Sequence, residues 1–271
     1  MTDFAFIDSG VGGIPYMMEL LNKQSEASCI YVADTANFPY GPKTHEEVVN
    51  CVLPLVEKII NRFEPAVIVV ACNTISVNSL EVLRSKFPQT KFVGTVPAIK
   101  LAAAVSKKRC LGLLATKATC ENPYNLELKN NFAADCTLIC RADGELVSFI
   151  EKNAFTATKQ ECLDAVKPAV EFFRQKNCDV IILGCTHFLN FTDVFKEACG
   201  NDIQIVDSVD GVVRHALDVR GVAGVSPAQG VGRNEVRPQG ETAPSLFITG
   251  EFNDSYEVIC SRYKINFIGK I

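Results

Sequence analysis

The chain has 271 residues, 48% of them hydrophobic, and its 27 Lys and Arg against 31 Asp and Glu leave a net charge of −4. That length and apolar content suit one large or two modest globular domains, and basic residues scattered along an acidic chain exclude the electrostatic footprint of a nucleic-acid binder. No apolar run reaches the roughly 18 residues of a membrane span, and the opening Met-Thr-Asp-Phe-Ala-Phe-Ile-Asp lacks a basic n-region, so a cytoplasmic protein without nucleic-acid or membrane partners is expected.

Short apolar runs alternate with longer stretches of helical period, the pattern of an α/β fold with parallel sheets covered by helices. The spacing predicts strands over Phe4 to Asp8 and Ile30 to Asp34, then an amphipathic helix over Glu46 to Phe63. Strands follow over Ala66 to Ala71, Phe92 to Val96, Cys110 to Ala115 and Cys136 to Cys140. A second amphipathic helix over Glu161 to Lys176 precedes strands over Val180 to Gly184 and Ile203 to Val206. Arg220 to Pro244, rich in Gly and Pro and without period, reads as a long surface connection before a last strand, Leu246 to Thr249, and a helix.

Open α/β sheets bind ligands at the carboxyl ends of their strands. Here those ends are polar: Asp8-Ser9-Gly10, Asp34-Thr35, Cys72-Asn73-Thr74, Thr116, Cys185-Thr186-His187 and Asp207-Ser208. The two cysteines end near-identical runs, Val67-Ile-Val-Val-Ala-Cys72 and Val180-Ile-Ile-Leu-Gly-Cys185, 185 − 72 = 113 positions apart. Two related α/β halves, each presenting one thiol, would give this echo, although the repeat is weak outside these strands. Both thiols precede a predicted helix start, where exposed N–H groups and the helix dipole favour a thiolate. Most of the 12 cysteines are expected to be reduced, small core residues; Cys72 and Cys185 differ in being followed by hydrogen-bonding groups.

His187, two positions past Cys185, is either a proton partner or only a helix-start residue, whereas His45 and His215 have no such context. Asp8 opens Asp8-Ser-Gly-Val-Gly-Gly13, whose glycines permit a tight turn toward a ligand. The order is not that of a dinucleotide loop and the acid would repel pyrophosphate, so Asp8 orients an ammonium, moves a proton or caps the next helix. Cys136-x-x-x-Cys140 has no second ligand pair, so no metal is expected. No Gly-x-Ser-x-Gly elbow surrounds Ser9, and a cysteine hydrolase built on one thiol and His187 leaves the other thiol idle. No lysine stands in a Schiff-base context, which fits the absence of pyridoxal phosphate, so with a dinucleotide also disfavoured neither cofactor is expected.

Taken together, several blocks resemble the glutamate racemases: Phe6-Ile-Asp-Ser-Gly-Val-Gly-Gly13, Ala33-Asp34 with Pro39-Tyr40-Gly41, Ala71-Cys-Asn-Thr-Ile-Ser76, Gly112 to Thr119, Leu183-Gly-Cys-Thr-His-Phe188 and Phe247-Ile-Thr-Gly250. They run in the family's order over about 200 residues. The resemblance implies two pseudo-symmetric parallel-sheet α/β lobes with the active site in the cleft between them. The first lobe would span 1–97 plus 209–271 and carry Asp8 and Cys72; the second would span 98–208 and carry Cys185 and His187. By match to the motifs, Cys72, assisted by Asp8, would take the α-proton of D-glutamate, and Cys185, assisted by His187, that of L-glutamate. Ser9, Tyr40, Gly41, Asn73, Thr74, Thr116, Thr119 and Thr186 fall where the family holds substrate. A homodimer acting in peptidoglycan synthesis is the implied setting.

The chain departs from the family after Cys140, where Arg141-Ala-Asp-Gly-Glu145-Leu-Val-Ser-Phe-Ile-Glu151 leaves open whether Glu145 or Glu151 stands for the family's third carboxylate. Thr119-Cys-Glu-Asn-Pro-Tyr124 also differs from the usual Ser-x-Ala-Tyr ending. A racemase acting on aspartate or a hydantoin, and an inactive binding protein on the same fold, stay open as alternatives.

Overall fold

A computed structural model of the chain describes residues 2–222 and 243–271. The first run forms β1 (Phe4–Asp8), α1 (Ile14–Lys23), β2 (Cys29–Ala33), α2 (His45–Phe63), β3 (Val67–Val70), α3 (Asn73–Lys86) and β4 (Lys91–Gly94). The middle run forms α4 (Ile99–Val105), β5 (Cys110–Ala115), α5 (Lys117–Glu121), α6 (Tyr124–Phe132), β6 (Thr137–Ala142), α7 (Gly144–Asn153), α8 (Lys159–Gln175), β7 (Val180–Leu183), α9 (Thr186–Leu189), α10 (Thr192–Cys199) and β8 (Gln204–Val206). The last run adds α11 (Val209–Arg220), β9 (Ser245–Ile248), α12 (Ser255–Tyr263) and β10 (Asn266–Lys270). The chain divides into two compact units, Met1–Thr95 with Val209–Ile271, and Val96–Ser208.

Both sheets are parallel throughout, so the chain is an α/β protein with two parallel-sheet lobes. The first unit orders its six strands β10-β9-β2-β1-β3-β4, and the second its four strands β6-β5-β7-β8. β2-β1-β3-β4 therefore has the same form as β6-β5-β7-β8, which makes β1 the counterpart of β5 and β3 that of β7. The central strands β1, β3 and β7 are buried along their whole length, as continuous apolar runs between two helical layers must be.

The match between the two units extends beyond the cysteine strands. Helices α2 and α8 each begin with a capping box, Thr44 with Glu47 and Thr158 with Glu161, in which the threonine hydroxyl accepts the third N–H and the glutamate accepts the cap N–H. Each also carries an internal proline, Pro54 and Pro168, so the trio recurs 158 − 44 = 114 positions later. Because caps lie outside the apolar pattern, a reading of hydrophobic runs passes over this match.

Each sheet has its own core. Ile7, Val32, Val52, Val56, Val70 and Leu83 pack in the first unit, and Leu111, Leu113, Ala115, Val180 and Ile182 in the second. One strand departs from expectation: β10 joins the sheet edge beside β9, where alternating half-buried and exposed residues and the left-handed Gly269 (φ 125°) hide it from a search for continuous apolar runs. Most of the connection expected over Arg220 to Pro244 lies outside the described residues. No helix among the described residues is long and apolar enough to cross a membrane.

Candidate active site

In the first unit the candidate side chains sit at the carboxyl ends of β1, β2 and β3. Ile7 pairs with Val70, and Ala71 N–H donates to the Ile7 carbonyl at 2.8 Å, which sets Asp8 and Cys72 on neighbouring strand ends. Asp8 is fully buried; its Oδ1 accepts the Ser9 N–H at 2.6 Å and lies 3.4 Å from Ser9 Oγ. Cys72, 5% exposed, keeps extended backbone (φ −144°, ψ 120°) as the residue that caps α3, followed by buried Asn73 and Thr74. Its thiol thus meets the N-terminal end of a 14-residue helix, the end that favours negative charge. Among the described residues Asn73 Oδ1 is buried without a hydrogen-bond partner, an acceptor that a ligand ammonium would satisfy.

Tyr31 supplies a support that sequence reasoning missed. Its buried hydroxyl accepts the Gly13 N–H at 2.9 Å and has the Gly10 carbonyl at 3.0 Å and Asp8 Oδ2 at 3.3 Å as acceptors for its own hydrogen. It therefore clamps the glycine turn onto β1. A Cβ on Gly13 would sit 2.5 Å from the Ala71 carbonyl, so this turn and the strand leading to Cys72 approach as closely as only glycine allows. The signal was an aromatic with a polar tip inside an apolar strand, whose hydroxyl must find a partner when buried.

Tyr40 is buried and donates its hydroxyl to Asp34, which also accepts from Thr249 Oγ1 at 2.6 Å and from Asn37 Nδ2 at 3.0 and 3.1 Å. Burial and the neighbouring Asp34 carboxylate push the Tyr40 phenol well up, so it stays protonated. Gly41 follows, half-buried, in the turn closed by Lys43 N–H to the Tyr40 carbonyl.

The second unit repeats the thiol with different company. Leu114 pairs with Leu183, and Gly184 N–H donates to the Leu114 carbonyl at 2.7 Å, so Thr116 and Cys185 end neighbouring strands. Cys185, again 5% exposed and extended (φ −136°, ψ 137°), precedes α9 as Cys72 precedes α3. Thr116 caps α5, its hydroxyl accepting the Thr119 N–H and donating to Thr119 Oγ1 at 3.1 Å; Thr119 is fully buried and Thr186 nearly so.

His187 Nδ1 lies 3.8 Å from Cys185 Sγ, and on the other side of the ring Nε2 lies 2.8 Å from Glu151 Oε2. Of the two acids after Cys140, Glu151 is thus the one that meets His187, while Glu145 is exposed on the first turn of α7. Burial alone would lower the His187 pKa, but its hydrogen bonds to Cys185 and Glu151 and their charge outweigh this and raise it well above the ordinary value. The ring lies between a thiol and a carboxylate, and its raised pKa favours the protonated form, a group able to exchange a proton with a neighbouring thiol. His45 and His215 are both exposed. Among the described residues no three or more His, Cys, Asp or Glu side chains are placed to hold a metal ion.

The family model for Asp/Glu/Hydantoin racemase matches residues 15–216. The chain is 39% identical over 214 residues to a protein named glutamate racemase from Treponema pallidum (strain Nichols), covering 79% of this chain and 80% of that one. It is 38% identical over 208 residues to a glutamate racemase from Proteus mirabilis (strain HI4320), covering 76% and 72%. Among solved structures it is similar to Escherichia coli glutamate racemase in complex with L-glutamate and the activator UDP-MurNAc-ala, with a TM-score of 0.83 and 28% identity over 100% of this chain and 98% of that one. With the family's model matched across most of its length and relatives well above 30% identity, the chain belongs to the Asp/Glu/Hydantoin racemase family.

Proposed function

We propose that the chain is a glutamate racemase working by two-base proton transfer. The observation that carries this reading is the matched pair of thiols, Cys72 and Cys185, each at the end of a central strand and each in extended backbone before a helix, with Asp8 on the strand end beside Cys72 and His187 Nδ1 3.8 Å from the Cys185 sulfur. The relatives above are named for glutamate, and one is described with L-glutamate bound, which supports glutamate over aspartate or a hydantoin as substrate.

In this reading Cys72 removes the α-proton of D-glutamate and Cys185 that of L-glutamate, and the opposite thiol protonates the carbanion. Two sulfurs must therefore reach one α-carbon from its two faces. Asp8 assists Cys72; His187, held by Glu151, assists Cys185. Ser9, Tyr40, Gly41, Asn73, Thr74, Thr116, Thr119 and Thr186 hold the carboxylates and the amine, because a carbanion made without a cofactor needs aligned donors and an ordered site. The product supplies D-glutamate for peptidoglycan, in the cytoplasm, from a homodimer whose size light scattering on the purified protein would report.

The deciding experiment offers each enantiomer of glutamate and aspartate in deuterated water and follows optical rotation and α-proton washout. Both glutamate enantiomers should racemise with deuterium entering the product. Turnover of aspartate alone would reassign the substrate, and washout from neither would leave a binding protein.

A further inference from the structure

The second unit holds a pair of thiols that proton transfer does not use. Cys110 is the first residue of β5, and Cys178 lies just ahead of β7, the neighbouring strand. Their sulfurs are 3.5 Å apart. We propose that Cys110 and Cys178 form a redox-active dithiol, a modification site that two-electron oxidants of the peroxide class close into a reversible intramolecular disulfide.

The backbone already permits the bond. Leu111 pairs with Val180, so Cys110 and Cys178 are one residue out of register on adjacent strands. A strand spacing of about 4.8 Å and a rise of about 3.3 Å per residue put their Cα atoms about 5.8 Å apart, inside the 4.4–6.8 Å range of disulfides. The sulfurs need to close only by about 1.5 Å to reach bonding distance, a side-chain movement. Both backbones are pinned meanwhile: Asp179 N–H donates to the Cys110 carbonyl at 3.2 Å, and the Asp179 carboxylate accepts from Ser106 Oγ at 2.6 Å, Lys107 N at 2.6 Å and Lys108 N at 2.8 Å.

The two thiols are unequal in the way a dithiol centre needs. Cys110 is half-buried, so its sulfur is the one of the two that an oxidant from solvent reaches. Cys178 is 2% exposed, and burial together with the hydrogen bond to Cys110 pushes its thiol up to about 12. Cys110 therefore attacks first: its sulfur bonds to a peroxide oxygen, the O–O bond breaks, and the departing hydroxide takes up the Cys110 proton as water. The Cys178 sulfur then attacks the resulting sulfenic acid, the S–O bond breaks, and the departing hydroxide takes up the Cys178 proton as a second water. Two thiols and one peroxide yield one disulfide and two waters; sulfur gives up two electrons and the peroxide accepts them.

The pair lies at the amino ends of its strands, about 20 Å of extended chain from Thr116 at the other end of β5, so oxidation there is separate from the catalytic thiols. Its consequence is a covalent tie between β5 and β7 that restricts the unfolded chain over the intervening segment.

The test treats the full chain with substoichiometric hydrogen peroxide, alkylates remaining thiols, and maps peptides without reduction. The expected product is a Cys110–Cys178 cross-linked peptide, lighter by two hydrogens, that dithiothreitol separates. The oxidised protein should also melt at a higher temperature than the reduced one. Both effects should vanish in Cys110→Ser and in Cys178→Ala, with racemisation under reductant unchanged. Recovery of the two cysteines as separately alkylated or sulfinic residues would overturn the proposal. So would bridging only elsewhere, as between Cys120 and Cys140, whose thiols are also hydrogen-bonded to each other.

Discussion

Glu151→Gln isolates the charge in the Cys185–His187–Glu151 chain. Glutamine matches glutamate in shape, and its amide oxygen still accepts the His187 Nε2–H now 2.8 Å from the carboxylate. The Glu151 side chain is 11% exposed and that of His187 2%, so water screens the pair little. An opposite charge at this range moves a pKa by about 1–3 units, which is about 1.4–4 kcal/mol. The His187 midpoint should fall by that amount, because burial, which lowers it, is no longer opposed by the carboxylate. Racemisation should slow by up to about tenfold per unit at a pH above the new midpoint. The two enantiomers have equal free energy, so kcat/KM must stay equal in both directions, and any asymmetry has to appear elsewhere. With α-deuterated substrates, the primary isotope effect on kcat/KM should rise for L-glutamate, whose proton Cys185 takes under the proposed assignment, and fall for D-glutamate. Circular dichroism gives the rates, and nitrogen NMR resolves the titrations of the three histidines. A His187 midpoint that stays or rises, or isotope effects that shift alike in both directions, would refute the reasoning.

Cys72→Ser and Cys185→Ser should each lower racemisation by at least about 10²–10⁴-fold, the usual worth of a general acid–base group, while leaving the melting temperature near that of the parent; near-parental rates in either variant would end the two-thiol reading. Tyr31→Phe leaves the buried Gly13 N–H without its acceptor and should cost about 1–3 kcal/mol of stability, measured by denaturant unfolding. Gly13→Ala pushes a methyl against the Ala71 carbonyl and should cost about 1–3 kcal/mol, with a further loss of activity because the displaced strand leads to Cys72. His187 also links stability to pH: its folded-state pKa is raised above the unfolded value of about 6.5, so its contribution is full below that pH and disappears as pH climbs through the folded value. Melting temperature against pH should show this alkaline decline in the parent and a smaller one in Glu151→Gln.

What could be read from the sequence follows from locality. Continuous apolar runs such as Val67–Val70 and Val180–Leu183 announce buried parallel strands, and the polar residues beyond them, Cys72-Asn73-Thr74 and Cys185-Thr186-His187, announce a ligand-facing edge. The sequence left the choice between Glu145 and Glu151 open, although the helix face bears on it. Leu146, Val147 and Ile150 form the buried face of α7, and Glu151, one turn beyond Val147, borders that face, whereas Glu145 opens the helix toward solvent. Contacts between distant segments were not legible. The Tyr31 hydroxyl reaches back to Gly10 and Gly13, Thr249 reaches Asp34 across more than two hundred residues, and β10 gains its identity only from its neighbour β9.

The helpers, unlike the thiols, are not duplicated. In the register that aligns the two thiols, Asp8 of the first unit corresponds to Ala115 of the second and Ser9 to Thr116, and where the second has His187, the first has Thr74. Glu151 comes from α7 in the segment linking β6 to α8; the matching segment of the first unit, from β2 to α2, instead carries the Asp34–Tyr40 hydrogen bond. A duplicated fold thus fixes where each sulfur stands, while residues outside the repeated caps and strands decide what stands behind it. Under the two-base reading this divergence carries no thermodynamic penalty. Equality of kcat/KM for the two enantiomers follows from their equal free energies and holds for any pair of helpers, so selection acts on the shared rate and leaves the halves free to reach it with a carboxylate on one side and a carboxylate-backed imidazolium on the other.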